Sequence, residues 1–73
     1  MSEIEINSPV TGTVWKVERA VGDQVREGDV IMILESMKME IPVEAETSGT
    51  LERIDVVPED SVNEGQRLCV VKS

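Results

Sequence analysis

The sequence predicts an all-β domain, a sandwich or barrel of short strands, and three observations carry that prediction. First, the apolar inventory is twelve Val, six Ile and three Leu against two Ala and a single aromatic residue, Trp15. β-Branched side chains are stiff at χ1 and suit the pleated surface of a strand better than a helix. No segment keeps a 3.6-residue apolar period over the length a stable helix needs. Second, turn signals interrupt the chain every few residues, leaving apolar runs of strand length between them. Third, the sequence repeats. Shifted by 37 residues, Gly12-Thr13-Val14 falls on Gly49-Thr50-Leu51, Asp23 on Asp60, Val25 on Val62 and Glu27-Gly28 on Glu64-Gly65. Neither half is long enough to close a core alone, so the two are expected to pack across an approximate two-fold axis.

The turn signals delimit the strands in order. A first strand over 3–7 ends at Ser8-Pro9, and a second over 13–19 follows Thr11-Gly12. Gly22-Asp23 opens a short third strand over 24–26, and Glu27-Gly28-Asp29 leads into a fourth over 29–35. The fifth spans 40–46 and stops before Ser48-Gly49, after which the sixth covers 50–56. Pro58-Glu59-Asp60 precedes the seventh at 61–63, and Glu64-Gly65 the eighth at 67–72. Residues 1–73 thus read as a single domain. The glycines at these turns are expected to supply positive φ. Trp15, inside a strand, is expected to be a packing residue rather than a partner contact, and Cys69, in the last strand, a partly buried, inert thiol.

Composition narrows the function. Seven Lys and Arg against fifteen Asp and Glu give a net charge of −8, which argues against nucleic-acid binding, since phosphate contacts need basic clusters. With no His and one Cys, there is no His-based triad, no disulfide and no Cys/His zinc cage. The longest apolar run, Val30–Leu34, is far short of the roughly 20 residues of a membrane span. The acidic N-terminus does not resemble a signal peptide, and the lone thiol suits a reducing compartment, so a soluble cytoplasmic protein, monomeric in isolation, is expected. Paired carboxylates such as Glu59-Asp60, or Glu44 with Glu46, read as a solvated face rather than an acid–base pair, because a chain this size offers little room for a substrate cleft.

The seam between the repeats carries the one unusual feature. A two-residue turn at Met37-Lys38 places Ser36 opposite Met39, Glu35 opposite Glu40, Leu34 opposite Ile41, Met32 opposite Val43 and Val30 opposite Ala45. Alternate pairs are then apolar on both strands, as a half-buried hairpin requires. Pro42, which has no N–H, belongs at an edge or a non-bonding position. Met-Lys is a poor choice for a tight turn, where Asn-Gly or Asp-Gly is favoured, and two methionines at an exposed tip place apolar surface in water. A local rule broken without a folding benefit marks a candidate functional site. The chain has only three lysines. Lys16 lies within a strand and Lys72 near the C-terminus, so Lys38 alone stands on a tip where an enzyme could surround its amine.

Glu35-Ser36-Met37-Lys38-Met39 closely resembles the attachment motif of the biotinyl domain family. Ser8-Pro9-Val10-Thr11-Gly12-Thr13-Val14, Val21-Gly22-Asp23-Gln24-Val25, Glu27-Gly28-Asp29 and Ser48-Gly49-Thr50-Leu51 resemble that family's other turns, in order and over nearly the whole chain. The resemblance implies a flattened β-barrel of two four-stranded antiparallel sheets with pseudo-two-fold symmetry. It implies biotin attached to the ε-amine of Lys38 by a biotin protein ligase, with Glu35, Ser36, Met37, Met39 and Glu40 as flanking recognition residues. The arm would carry a carboxyl group from a biotin carboxylase to a carboxyltransferase, and the domain itself would catalyse nothing. The protruding loop found in some members is missing, since only Glu18-Arg19-Ala20 separates Val17 from Val21. Lipoyl domains share the fold and the hairpin lysine, so lipoate, attached by a lipoyl ligase, stands as an alternative. It is disfavoured by Met37 and Met39, where that family usually has Asp and Ala. An unmodified interaction module of the same fold is the remaining reading.

Overall fold

The structure is a computed structural model that describes residues 2–73. It contains eight strands: β1 (Glu3–Asn7), β2 (Gly12–Val17), β3 (Gln24–Val25), β4 (Val30–Ser36), β5 (Met39–Glu44), β6 (Gly49–Ile54), β7 (Ser61–Val62) and β8 (Arg67–Lys72). They form two four-stranded antiparallel sheets ordered β1-β8-β6-β3 and β5-β4-β2-β7. The expected fold class is therefore observed, as a sandwich whose sheets keep their edges rather than as a closed barrel. Among the described residues no helix is long and apolar enough to cross a membrane.

A 37-residue shift carries β1, β2, β3 and β4 onto β5, β6, β7 and β8, and one sheet order onto the other. Each sheet takes two strands from each half. The alternating apolar residues meet in one core that includes Ile6, Val14, Leu34, Val43, Leu51 and Val71. Burying such a side chain contributes roughly 1.5–3 kcal/mol, so neither half could offset its own chain entropy without the other.

The repeat also duplicates its irregularities. Two residues of β2, Trp15 and Lys16, oppose Ile33 of β4, and Glu52 and Arg53 of β6 oppose Val70 of β8 in the same way. Ile31 is an extra residue of β4 against β5, as Leu68 is in β8 against β1. These are β-bulges, and one of them corrects an expectation. Val30 pairs with Glu44 rather than Ala45, because Ile31 and Met32 both turn into the core against Val43. Ala45 is buried instead by loop bonds: its N–H donates to Asp29 O at 2.8 Å, and its carbonyl accepts from Gly28 N–H at 2.9 Å. Trp15 does not pack in the core: it follows the buried Val14 and so faces outward, 43% exposed, and the bulge leaves Lys16 on the same side, its amine 4.3 Å from the ring centroid. β2, β5 and β6 each end about two residues earlier than expected, where loop bonds replace the ladder. Cys69 is fully buried, beyond the partial burial expected.

The glycines divide into two kinds. Gly22, Gly28 and Gly65 have positive φ as expected, but Gly12 and Gly49 do not. At those two positions the requirement is proximity: a Cβ on Gly12 would collide with the Glu35 carbonyl oxygen, and one on Gly49 with that of Lys72. The counterpart of Gly22 in the second half is Glu59, which holds a φ of 78° without the freedom of glycine.

Candidate functional site: the β4–β5 hairpin

β4 and β5 pair as the sequence predicts from the tip down to Met32–Val43: Ser36 with Met39, Glu35 with Glu40, Leu34 with Ile41 and Ile33 with Pro42. β5 is an edge strand, so Pro42 leaves no sheet neighbour without a donor on its free side. Leu34 is fully buried and Ile41 partly so, which anchors the base of the hairpin in the core. Above them the side chains leave the core and the tip projects into solvent.

At the tip, Met37 and Lys38 both occupy the left-handed region, with φ of 53° and 66°. That pattern is the two-residue turn whose twist matches the strands, and it costs about 1–2 kcal/mol per residue when neither is glycine. The turn is tethered from outside the hairpin: the Ser36 hydroxyl donates to the Thr11 carbonyl at 3.0 Å. The absent side chain of Gly12 is what lets this segment lie against the backbone of Glu35. Thr11 and Gly12 thus belong to the site although sequence reasoning did not connect them to the hairpin. Nothing local announces a contact across 25 residues.

All six residues singled out in the sequence come together here. Lys38 stands at the tip, exposed, and among the described residues no carboxylate lies within ion-pair distance of its amine. Met37 is 92% and Met39 65% exposed. Glu35 and Glu40 sit directly opposite each other on the outer face of the sheet, a like-charge pairing that works against the hairpin. Lys16 and Lys72 are held within strands β2 and β8. Two clefts elsewhere on the surface, about 490 and 370 Å³, are lined by residues such as Val21, Glu52 and Leu51, and include none of the hairpin. The amine is therefore presented rather than enclosed, so whatever acts on it must bring its own walls. Chemically, an exposed amine on a fixed turn is an acceptor for acyl transfer.

The other nucleophile, Cys69, is not available for such chemistry. Burial, with lesser contributions from Asp55 and Glu46, pushes its thiol up to about 11. Asp55 also accepts from Arg53 and Arg67, each at 2.8 Å, and Arg67 reaches Glu5 at 3.5 Å. This network lies on the outer face of the sheet that does not carry Lys38.

A two-sheet β-sandwich built from a repeat, with a lysine on the turn at its seam, defines the class of small covalent-carrier domains. The biotin/lipoyl family described as "Biotin-requiring enzyme" matches residues 4–71, and the chain belongs to that family. It is 43% identical over 63 residues to the biotin/lipoyl attachment protein of Bacillus subtilis, covering 86% of each chain. It is 42% identical over 64 residues to the biotin carboxyl carrier protein of Streptococcus mutans, covering 88% of this chain and 49% of that one. The crystal structure of the Kluyveromyces lactis urea carboxylase contains a matching region at a TM-score of 0.93 and 36% identity, spanning 99% of this chain and 6% of that one.

Proposed function

We propose that the protein is a biotin carrier whose attachment residue is Lys38. A biotin protein ligase supplies biotinyl-adenylate; the Lys38 amine attacks its acyl carbon, AMP leaves with the bonding pair, and the nitrogen loses a proton as the amide forms. The arm then receives a carboxyl group at a biotin carboxylase and delivers it at a carboxyltransferase. Tethering turns diffusion of the cofactor into a local search at high effective concentration. The domain contributes presentation and no bond chemistry of its own. The observation that carries this reading is the exposed Lys38 amine on a left-handed turn, flanked by Met37 and Met39, in a chain of the biotin-requiring family. Glu35, Ser36, Met37, Met39 and Glu40 are the residues a ligase would read. We place the protein in the cytoplasm, where its single thiol stays reduced.

A second reading, lipoate on the same lysine, is favoured by the similarity to a protein named for both cofactors. Incubating the protein separately with a biotin protein ligase and a lipoyl ligase, then weighing the peptide that contains Lys38, tests both. The expected outcome is a biotinyl adduct on Lys38, lost along with streptavidin reactivity in Lys38→Ala. A lipoyl adduct alone would overturn biotin in favour of lipoate, and modification at Lys16 or Lys72 would overturn the site.

A further inference from the structure

Two thioethers flank the acceptor amine, and the structure leaves both unprotected. Met37 and Met39 are exposed, whereas Met32, five residues before Met37 in the sequence, is fully buried. The difference follows from the turn. Left-handed backbone at Met37 and Lys38 reverses the chain above the anchored base of the hairpin, and neither methionine joins the core or the half-buried residues packed on it. Among the described residues the other oxidisable side chains are Cys69 and Trp15. Cys69 is fully buried and its thiol is pushed up to about 11, so its reactive thiolate is scarce at neutral pH. The Trp15 ring has the Lys16 amine over one face. Susceptibility of sulfur to oxidants follows exposure, so the two soft, accessible sulfurs of the molecule stand on either side of Lys38.

We infer that Met37 and Met39 form a reversible oxidation site, and that their sulfoxides prevent acylation of Lys38. The second half of the inference rests on the biotin reading of Lys38. The oxidant is a peroxide. A sulfur lone pair attacks one peroxide oxygen, and the S–O bond forms as the O–O bond breaks. Hydroxide leaves and takes the proton from the transferred oxygen, giving water; the thioether loses two electrons and the peroxide gains them. Methionine sulfoxide reductases reverse the step: two thiols become a disulfide and the oxygen departs as water. Position decides what the oxidation does. A sulfoxide in a core disrupts packing, but here Leu34 and Ile41 hold the base of the hairpin and both sulfurs lie outside it. The fold therefore persists, and what changes is the surface an acylating enzyme has to enclose. Two flexible apolar side chains leave water readily, whereas two sulfoxides carry strong dipoles whose hydration must first be stripped.

The test treats the unloaded protein with hydrogen peroxide, stops the reaction at intervals with catalase, and locates the added oxygen by peptide mass. Wild type is compared with the double variant Met37→Leu, Met39→Leu, which keeps apolar bulk and removes sulfur. Melting transition and rate of loading by a biotin protein ligase with ATP and biotin are measured on each sample. In the folded wild type, Met37 and Met39 are expected to gain oxygen about 100-fold faster than Met32, with the melting temperature unchanged and the loading rate lowered about tenfold. Treatment with the two epimer-specific methionine sulfoxide reductases and dithiothreitol should restore loading, and the leucine variant should load at a rate indifferent to peroxide. Equal oxidation of Met32 would overturn the inference, as would an oxidised wild type that loads at full rate. Loss of loading in the peroxide-treated leucine variant would also overturn it, by placing the damage elsewhere. If the leucine variant takes no biotin at all, reductase treatment of the wild type decides: rescue upholds the inference and failure overturns it. An untreated wild type that takes no biotin overturns the carrier function instead, while the oxygen map still decides the oxidation site.

Discussion

Met37 and Lys38 are held where most residues do not go, and the turn they occupy is the one that Asn-Gly makes without strain. The double substitution Met37→Asn, Lys38→Gly should therefore raise stability by about 1–2 kcal/mol, read as a higher denaturant midpoint at unchanged slope. It should also abolish acylation. The tip gives up stability for an amine, and that is why it was visible in the sequence: a turn that violates turn chemistry, in a chain with three lysines, draws attention to itself. Cys69 offers a second residue-level test. Its thiol ionises near 9.0 when unfolded and near 11 when folded, so between these values the unfolded chain sheds a proton that the folded one retains. Stability is full below pH 9 and falls as pH rises towards 11, by about 2–3 kcal/mol. Urea midpoints measured from pH 8 to 11 should show this slope in the wild type and lose most of it in Cys69→Ala.

At the scale of the element, Gly12 and Gly49 do the same work in the two halves, each letting a strand start against a neighbouring carbonyl. Gly12→Ala and Gly49→Ala should each cost roughly 2 kcal/mol, as overpacking does, visible as lower melting temperatures. Only Gly12→Ala should also slow biotin loading, since only Gly12 lies against the hairpin that bears Lys38. Here the limits of sequence reading are physical. The strands were legible because Val and Ile runs fall between turn residues, and the hairpin register was legible from the tip to Met32–Val43. The bulges were not. An extra residue at Trp15 or Ile31 reverses the inside–outside alternation, and what decides it is packing between sheets, which no local pattern records. The Ile31 bulge is what moves Val30 from Ala45 to Glu44, and the bulge in β2 is what leaves Trp15 and Lys16 exposed side by side. The roles of Gly12 and Thr11 were hidden for the same reason, as contacts between segments far apart in the chain.

For the molecule as a whole, net charge gives the simplest observable. The proposed acylation of Lys38 would remove one positive charge and take the formal count from −8 to −9. The loaded form should elute later from an anion exchanger, separating it from the unloaded form without any label. Lys38→Ala should elute with the loaded form and show no further shift on incubation with ligase. The charges are arranged differently on the two outer faces: Arg53 and Arg67 gather Asp55 and Glu5 on the sheet remote from Lys38, while on the other Lys16 lies over the Trp15 ring. Pseudo-symmetry of the backbone thus coexists with a clear front and back. The duplication was legible in the 37-residue shift, but the front and back were not, since they emerge only when the two sheets are compared position by position.

The interleaving of the halves has a consequence in time. Glu3 near the start of the chain pairs with Lys72 near its end, and the sheet that contains β1 has β8 at its interior. As the chain leaves the ribosome, β4 and β5 can meet early, yet the core beneath them stays open until β8 has emerged, and such distant pairings close slowly. A ligase acting on Lys38, as proposed, would therefore meet a complete hairpin base only after β8 has emerged, so that loading would follow folding of both halves.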